Sequence, residues 1–518
     1  MSEMINPIDV AIIGGGVSGI YTGWRLLGAD GDVGHGSPKP SVHLFELSDR
    51  LGGRLLSLLP PEIVDYRAEF GGMRYLTTQK LVHSLVNHLQ IPTRPFPMGG
   101  PNNIYYLRGH HFRQKDFADP TKVPYRLGWQ EEGKTPGEII AQAIETIVPG
   151  ASKLTKEQWQ EVKENYKFNG SYLHDLGFWN VIYDVISNEA FELLVDAGGY
   201  NSLFTNWNAA EALAWYLGDF GPDAQYRGFV NGYESVPLTL AEQFEAGGGH
   251  IHTEYELAAF DRVTGDEETL LRLEFRNGQI VYARRLVLAL PRRALEMLDR
   301  QGEFMRSNDV RRLLGSVTGH SLFKLFICYR YPWWSGTGVE LGRSVTDMPL
   351  RQVYYFHTEE VGPTGYNPEL RDSLVMASYD DGSFVDFWSG ICPEAHRQVR
   401  GKIGNGRWQH FSCPQGMIDR AQRQLKLVHQ LEYLPEPYAA GFIDWGQDPF
   451  GGGWHSWNIH VKAWQVRERL RQPLSDWNVH ICGEAYSSHQ AWVQGALLSA
   501  ESILQGPLGL AAPDWYEE

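Results

Sequence analysis

Apolar and polar positions along this chain follow two periods, and the switches between them divide it into regions. The first apolar run, Asp9–Ile13, stops at glycine and leads into an amphipathic stretch, Ile20–Leu27, before a second run, Val42–Phe45. These read as strand, helix and strand, a βαβ unit that continues to about Arg54 and then to Ala68–Tyr75. From Thr135 to about Gly218 the texture changes. Apolar positions recur at helical spacing in Gly137–Val148, Glu157–Tyr166 and Phe178–Ala197, with few β-branched runs, and predict a helical insertion. Gly228–Phe244 reads as a glycine-rich loop leading into a helix. Strand-like pieces follow at Ile251–Thr253, Leu257–Val263, Leu270–Phe275 and Arg285–Leu290, the last closed by Pro291. Leu322–Tyr329, Gln352–Phe356 and Leu374–Tyr379 alternate as strands of a mixed sheet. A short strand, Val479–Cys482, a loop and a helix over Val493–Leu504 end the pattern. Internal repeats and low-complexity segments are absent.

The turn after the first strand holds Gly14, Gly16 and Gly19 in the pattern Gly-x-Gly-x-x-Gly, with Ser18 inside it. Gly14 permits the tight strand-to-helix turn, Gly16 lets backbone approach a pyrophosphate, and Gly19 lets the helix pack closely on the strand. The helix start offers free N–H groups and a positive dipole end to phosphates. Such spacing alone is weak evidence; the strand before it and the helix after it make it a dinucleotide signature. Glu46 ends the second strand, placed to hold a ribose hydroxyl pair. It comes later than the usual ~20 residues, because Gly28–Lys39 reads as an inserted loop. The next turn, Arg50-Leu51-Gly52-Gly53-Arg54, sets two arginines around a glycine pair, where guanidinium groups meet phosphate bidentately. A surface turn with solvated arginines is the competing reading.

At 518 residues the chain exceeds a single core, and its length suggests about three domains. With 42% hydrophobic and 21% charged residues it has the composition of a soluble globular protein. Its formal net charge of −16 argues against nucleic acid and anionic membrane surfaces as partners. No stretch approaches the roughly 18 apolar residues of a membrane span, and no secretory signal is read at the N-terminus. Cys328, Cys392, Cys413 and Cys482 lack zinc-ligand spacing, which implies reduced, mostly buried thiols and a cytoplasmic protein without a metal site.

Taken together, Gly14–Gly19, Glu46, Arg50–Arg54 and the run from Gly483-Glu484 to Trp492-Val493-Gln494-Gly495-Ala496 resemble the flavin-containing amine oxidases. These pieces bracket nearly the whole chain. The resemblance implies FAD in an extended pose, with Leu257 contacting the adenine region through its backbone, Glu484 and its loop contacting the ribityl-phosphate, and the helix from Val493 running beneath the flavin. Gly72 and Met73 would lie beside it. Within the family the chain is most similar to the L-amino acid oxidases, on the strength of Gly71-Gly72-Met73-Arg74. There the family places an arginine for the substrate carboxylate, which needs a fixed, always-charged bidentate partner in a dry site. A structural ion pair is the competing reading for Arg74.

The resemblance implies further roles. Tyr379 would be the second carboxylate anchor, unless it is a core tyrosine. Trp492 would form an aromatic wall beside the amine, with the Ala491 carbonyl accepting from that amine. Trp454 and Trp457 would build the opposite wall, unless they belong to the core. Lys324, a charge within an apolar strand, would assist reaction with oxygen through water, unless it snorkels to the surface. Monoamine oxidases tether flavin through a cysteine in a Gly-Gly-Cys segment. The matching stretch here is Gly451-Gly452-Gly453, without cysteine, so the FAD is expected to be non-covalent.

The expected fold is mixed α/β, a Rossmann-type FAD-binding domain over residues 1–80, 225–300 and 470–518. A mixed-sheet substrate domain covers 81–115 and 301–469, and a helical insertion covers 116–224. The expected function is oxidative deamination of L-amino acids by molecular oxygen, in a homodimer as relatives often form. Aromatic richness favours broad tolerance or bulky, aromatic side chains; a basic preference follows if an acid such as Asp386 points inward. An amine or polyamine oxidase, an L-amino acid 2-monooxygenase and a flavin-binding scaffold are the alternatives.

Overall fold

The computed structural model of the chain describes residues 7–28, 39–201, 205–220, 224–265, 268–356, 372–391, 408–447 and 452–516. Most of the loop expected over Gly28–Lys39, together with Cys392 and Gly451, lies outside the described residues. The result is a mixed α/β structure.

Strand Ile8–Ile13 becomes the centre of a seven-stranded sheet because its residues from Val10 onward are apolar and buried. It runs parallel to Val42–Phe45 on one side and Ile280–Leu288 on the other, in the register Val10↔Val42 and Ile13↔Leu288. His250–His252 continues the sheet beyond Val42–Phe45, again parallel. Strand Ile280–Leu288 branches: its first half pairs antiparallel with Thr269–Phe275, and its second half pairs parallel with Val479–Ile481. Sequence periodicity finds only the second half, from Arg285. The first half, residues 280–284, is largely apolar in sequence yet mostly exposed or half-buried, as the outer part of the sheet. Leu257–Thr264 completes the antiparallel side, with a register shift between Leu257 and Ala259.

Helix Val17–Leu26 packs on one face of this sheet against Ser235–Ala246 and Val493–Gln505. Ile20, Trp24, Phe244, Leu497 and Ile503 form the seam, all of them fully buried. A side chain of this kind stabilises the fold by roughly 1.5–3 kcal/mol when buried. A buried ion pair, Arg25 Nε to Glu501 Oε1 at 2.8 Å, joins the first helix to the last, and Tyr21 Oη donates to the same oxygen at 2.5 Å.

A second seven-stranded sheet has the order Ala439–Asp444, Leu322–Tyr329, Ser373–Asp381, Gln352–Phe356, Gly342–Thr346, Ile104–Leu107 and His110–Arg113. Its neighbours are antiparallel except where Gly342–Thr346 runs beside Ile104–Leu107. Helix Gln415–His429 covers one face. Five helices between Pro136 and Phe220 enclose their own core around Ile144, Leu194 and Leu213. The periodic stretch over Phe178–Ala197 is two helices, Phe178–Tyr183 and Asn188–Ala197. The break arises because Ser187 caps the second helix, its Oγ accepting from Ala190 N at 3.1 Å, while its own N–H donates to Glu131 at 2.7 Å. Apolar spacing is blind to such a cap. No helix among the described residues is long and apolar enough to cross a membrane.

Candidate active site

A cavity of about 380 Å³ is walled by residues of both large sheets and of the helical layer. Its first end is built from turns. Gly14 has a φ of +110°, and a Cβ there would lie 2.5 Å from the Ala289 carbonyl oxygen. A Cβ on Gly19 would lie 2.0 Å from the Gly14 oxygen, so helix and strand could not approach as they do. At Gly16 a Cβ would meet nothing within 4 Å and would project into open space. No side chain caps the helix that begins at Val17, so its N-terminus is left for an anion. Gly52 N donates to the Gly15 oxygen at 2.8 Å and locks the second glycine turn onto the first. Two glycine turns, an uncapped helix start and a narrow cavity fit the pyrophosphate of a dinucleotide.

The charged residues here are braced by the protein itself. Glu46 Oε2 accepts from Gly15 N at 2.6 Å, and Oε1 accepts from Ser48 N at 2.9 Å. Arg50 gives Nη1 to the Leu51 and Leu55 carbonyls and to Glu234, and Nη2 to the Gly53 carbonyl; it stiffens the turn as well as facing the cavity. Glu484 collects four donors: Arg54 Nη1 at 2.8 Å, His455 N at 3.0 Å, His455 Nδ1 at 2.9 Å and Ala491 N at 2.8 Å. Burial alone would raise its pKa, but Arg54 and His455 hold the carboxyl well below the usual range.

At the other end the walls are aromatic. Arg74 leaves the Gly71-Gly72 turn just before strand Tyr75–Leu76, which pairs with Tyr226–Phe229. Its guanidinium carbon lies 5.4 Å from the Phe96 ring centre, 5.1 Å from Tyr226 and 5.9 Å from Tyr354. Nη1 reaches Tyr354 Oη at 3.4 Å and Nη2 reaches Tyr200 Oη at 3.3 Å, while Nε is buried without a partner. Among the described residues no ion pair joins Arg74 to a carboxylate, which leaves the structural ion pair without its acid. The Tyr379 ring stands perpendicular to Tyr200 at 5.3 Å, and burial drives its hydroxyl pKa well above the ordinary value. Trp454 and Trp492 line the cavity with Ala491, which holds a left-handed φ of +68° that a side chain normally avoids.

Every residue expected at the site lines this cavity except Gly19, Lys324 and Trp457. Gly19 sits behind it in the helix–strand contact. Lys324 is fully buried beneath the Gly71-Gly72 turn, its Nζ donating to the Glu69 carbonyl at 2.9 Å and the Gly71 carbonyl at 2.5 Å. Burial pushes its pKa down against the pull of Glu69, so it is no snorkelling surface lysine. Trp457 belongs to the core, with Nε1 on the Ser487 carbonyl at 3.0 Å. Asp386 is exposed and does not line the cavity, whereas Asp381 does, with Glu46, Glu256 and Glu484. Sequence reasoning passes over Tyr200 and Trp215, which come from the helical layer. A signal existed for Trp215: its helix, Ala209–Phe220, is apolar nearly all round, which marks a helix covered on both sides.

A glycine-turn cavity for a dinucleotide that opens onto an aromatic, arginine-bearing chamber defines a class of redox protein. Residues 17–503 match the family of flavin containing amine oxidoreductases, and the chain belongs to that family. It is similar to Aplysianin-A of Aplysia kurodai, 25% identical over 96% of this chain and 90% of the relative. It is also similar to Achacin of Lissachatina fulica, 24% identical over 96% and 92%. An L-amino-acid oxidase of Crotalus adamanteus is 21% identical over 95% of this chain and 86% of the relative. Among solved structures, putrescine oxidase bound to putrescine superposes with a TM-score of 0.68 at 15% identity, over 97% of this chain and 99% of that one. That likeness concerns the fold.

Proposed function

We propose that the protein is an L-amino acid oxidase with non-covalent FAD, converting an L-amino acid, oxygen and water into a 2-oxo acid, ammonia and hydrogen peroxide. The observation that carries the reading is Arg74, a buried guanidinium on the cavity wall with tyrosine hydroxyls beside it and no acid partner among the described residues. An uncompensated buried charge is costly unless a ligand completes it, and a substrate carboxylate does so bidentately. FAD, rather than a smaller flavin, suits the length of a cavity that begins at the Gly14–Gly19 turn and reaches Trp454. None of the described cysteines lines it, which supports non-covalent binding.

The flavin supplies the redox chemistry, taking two electrons with the Cα hydrogen and passing them to oxygen as peroxide. The chain's own residues orient and exclude. Arg74 and Tyr379 would hold the carboxylate and so fix which face of Cα is presented to the flavin. Trp454 and Trp492 wall the chamber and keep water out. The amine must be neutral, because its lone pair forms the C=N bond as hydride leaves, and the resulting imine is hydrolysed. Lys324, buried under the Gly71-Gly72 turn with Nζ on the Glu69 and Gly71 carbonyls, would supply a proton for the reduction of oxygen.

The test is peroxide and 2-oxo acid formation by the purified yellow protein with L-amino acids, their D-forms and the decarboxylated amines. Both products from L-forms alone are expected. Turnover of the amines instead would leave Arg74 without this role, and an amide with carbon dioxide would make the protein a 2-monooxygenase.

A further inference from the structure

We propose that a small apolar void beside the main cavity is a holding site for dioxygen, from which the oxidant enters the cavity past Met73. The inference rests on oxygen as the electron acceptor, and not on which amine is oxidised. The void measures about 10 Å³, room for one small molecule. Met73, Phe96, Phe229, Phe326, Phe356 and Met376 line it, all but Phe356 buried. Tyr66, Arg67 and Arg94 form a half-buried rim, with the Arg94 guanidinium carbon 3.8 Å from the Tyr66 ring centre. The lining disfavours water, which needs about 2–4 polar partners when buried, and rings and thioethers supply none. Glu69, the acid on the wall, already accepts from Tyr233 N at 2.8 Å and from Ser57 Oγ at 2.6 Å. Dioxygen is uncharged and apolar, so it leaves water readily for such a space.

The position of the void ties it to the redox chemistry. Met73 lines both the void and the main cavity, and its unbranched, flexible side chain can swing between rotamers. Lys324 touches the walls of the same two spaces. Its Nζ donates to the carbonyl of Glu69, on the void, and to that of Gly71, on the cavity. It also stands 4.8 Å from the ring centre of Tyr379, another residue of the cavity wall. Phe326 lies two residues beyond Lys324 on strand Leu322–Tyr329, so the two share a face of the sheet. Oxygen that leaves the void past Met73 therefore enters the cavity beside the Gly71-Gly72 turn, above Lys324. There it takes two electrons from the reduced flavin and two protons, and leaves as hydrogen peroxide.

The experiment reduces the flavin of the holoenzyme photochemically, without any amine, and times its reoxidation by dissolved oxygen. Crystals pressurised with krypton, an apolar atom, probe the void without a reaction; krypton is expected there, and no ordered water before it. Gly228 lines the void, and a Cβ on it would lie 3.1 Å from Phe96 Cδ2 and 3.8 Å from the Met73 oxygen. Gly228→Ala therefore narrows the void and should slow reoxidation about 10-fold, while anaerobic reduction by an L-amino acid changes less than about twofold. Phe356→Ala widens it and should keep or raise the wild-type reoxidation rate. An ordered water in the void, or no krypton, overturns the holding site, as does a Gly228→Ala enzyme reoxidised as fast as the wild type. Wild-type reoxidation no faster than that of free reduced flavin overturns oxygen as the acceptor, and the oxidase reading with it. Wild-type flavin that L-amino acids fail to reduce overturns the proposed substrate alone, since photoreduction still tests the void. If Gly228→Ala does not accumulate with flavin, krypton and Phe356→Ala decide, and slower reoxidation in Phe356→Ala overturns the site.

Discussion

The two ends of one cavity are built on opposite plans. At the nucleotide end, the charged residues are braced by the protein itself: Glu46 by Gly15 and Ser48, Arg54 by Glu484, and the Nη atoms of Arg50 by its own loop and Glu234. At the substrate end Arg74 has two long contacts to tyrosine hydroxyls and a buried Nε without a partner. The first end is a scaffold whose polar groups stabilise the fold; the second holds a buried charge that the proposed substrate carboxylate would complete. Removing charge should therefore destabilise one end and relieve the other.

The largest effect is expected at the braced end. Glu484→Ala strands Arg54 and His455 and frees the Ala491 N–H, and the loss of one partner from such a buried set costs about 3–5 kcal/mol. Flavin retention and the melting temperature, followed by flavin fluorescence, should both fall steeply; an unchanged melting curve would break the contrast. Arg74→Met should act the other way. Its kcat/KM for L-amino acids is expected to drop about 10²–10³-fold, roughly 3–4 kcal/mol, while flavin content holds and the melting temperature stays level or rises. A melting temperature that falls with activity would mean that Arg74 supports the fold.

The smallest effect sharpens the comparison at the edge of the nucleotide sheet. His43 Nδ1 lies 3.0 Å from His252 Nε2, with the His250 ring 4.5 Å away. Burial, with the charges of His250 and His252, lowers the His43 pKa from 6.5 to about 4. The folded state thus binds fewer protons than the unfolded chain between those values. Stability from this group is present above pH 6.5 and is lost as pH falls toward 4. Since His43 is only half-buried, screening limits the change to about 1–2 °C in melting temperature. His43→Gln should flatten that slope across the same window; an identical pH profile would remove His43 as its source.

Legibility in the sequence followed the same divide. Gly14–Gly19, Glu46 and Arg50–Arg54 are legible because their pattern is local: a turn requires glycine at fixed offsets, and Glu46 meets Gly15 within a few tens of residues, although Arg54 finds Glu484 only through the fold. The strands Leu322–Tyr329 and Gln352–Phe356 are likewise legible, since burial on both faces leaves apolar runs interrupted only by Lys324 and opened by Gln352. The helix break at Ser187 is hidden because a cap is a hydrogen bond that apolar spacing does not record. Asp386 lies on helix Ser383–Ser389 and is exposed, whereas strand alternation from Tyr379 points to Asp381 on the cavity wall.

By itself the sequence determined the βαβ unit, the glycine turn, the membership of the chain in a flavin family, and Arg74 as a candidate for the cavity wall. Only the tertiary structure decided that Tyr200 and Trp215 of the helical layer close the chamber, that Lys324 lies beneath the Gly71-Gly72 turn, and that Trp457 is core where Trp454 is wall. The physical reason is distance along the chain. Tyr200, Arg74, Tyr354 and Tyr379 meet through space from four separate segments, and no local propensity encodes which of many buried aromatics will face a cavity and which will fill a core.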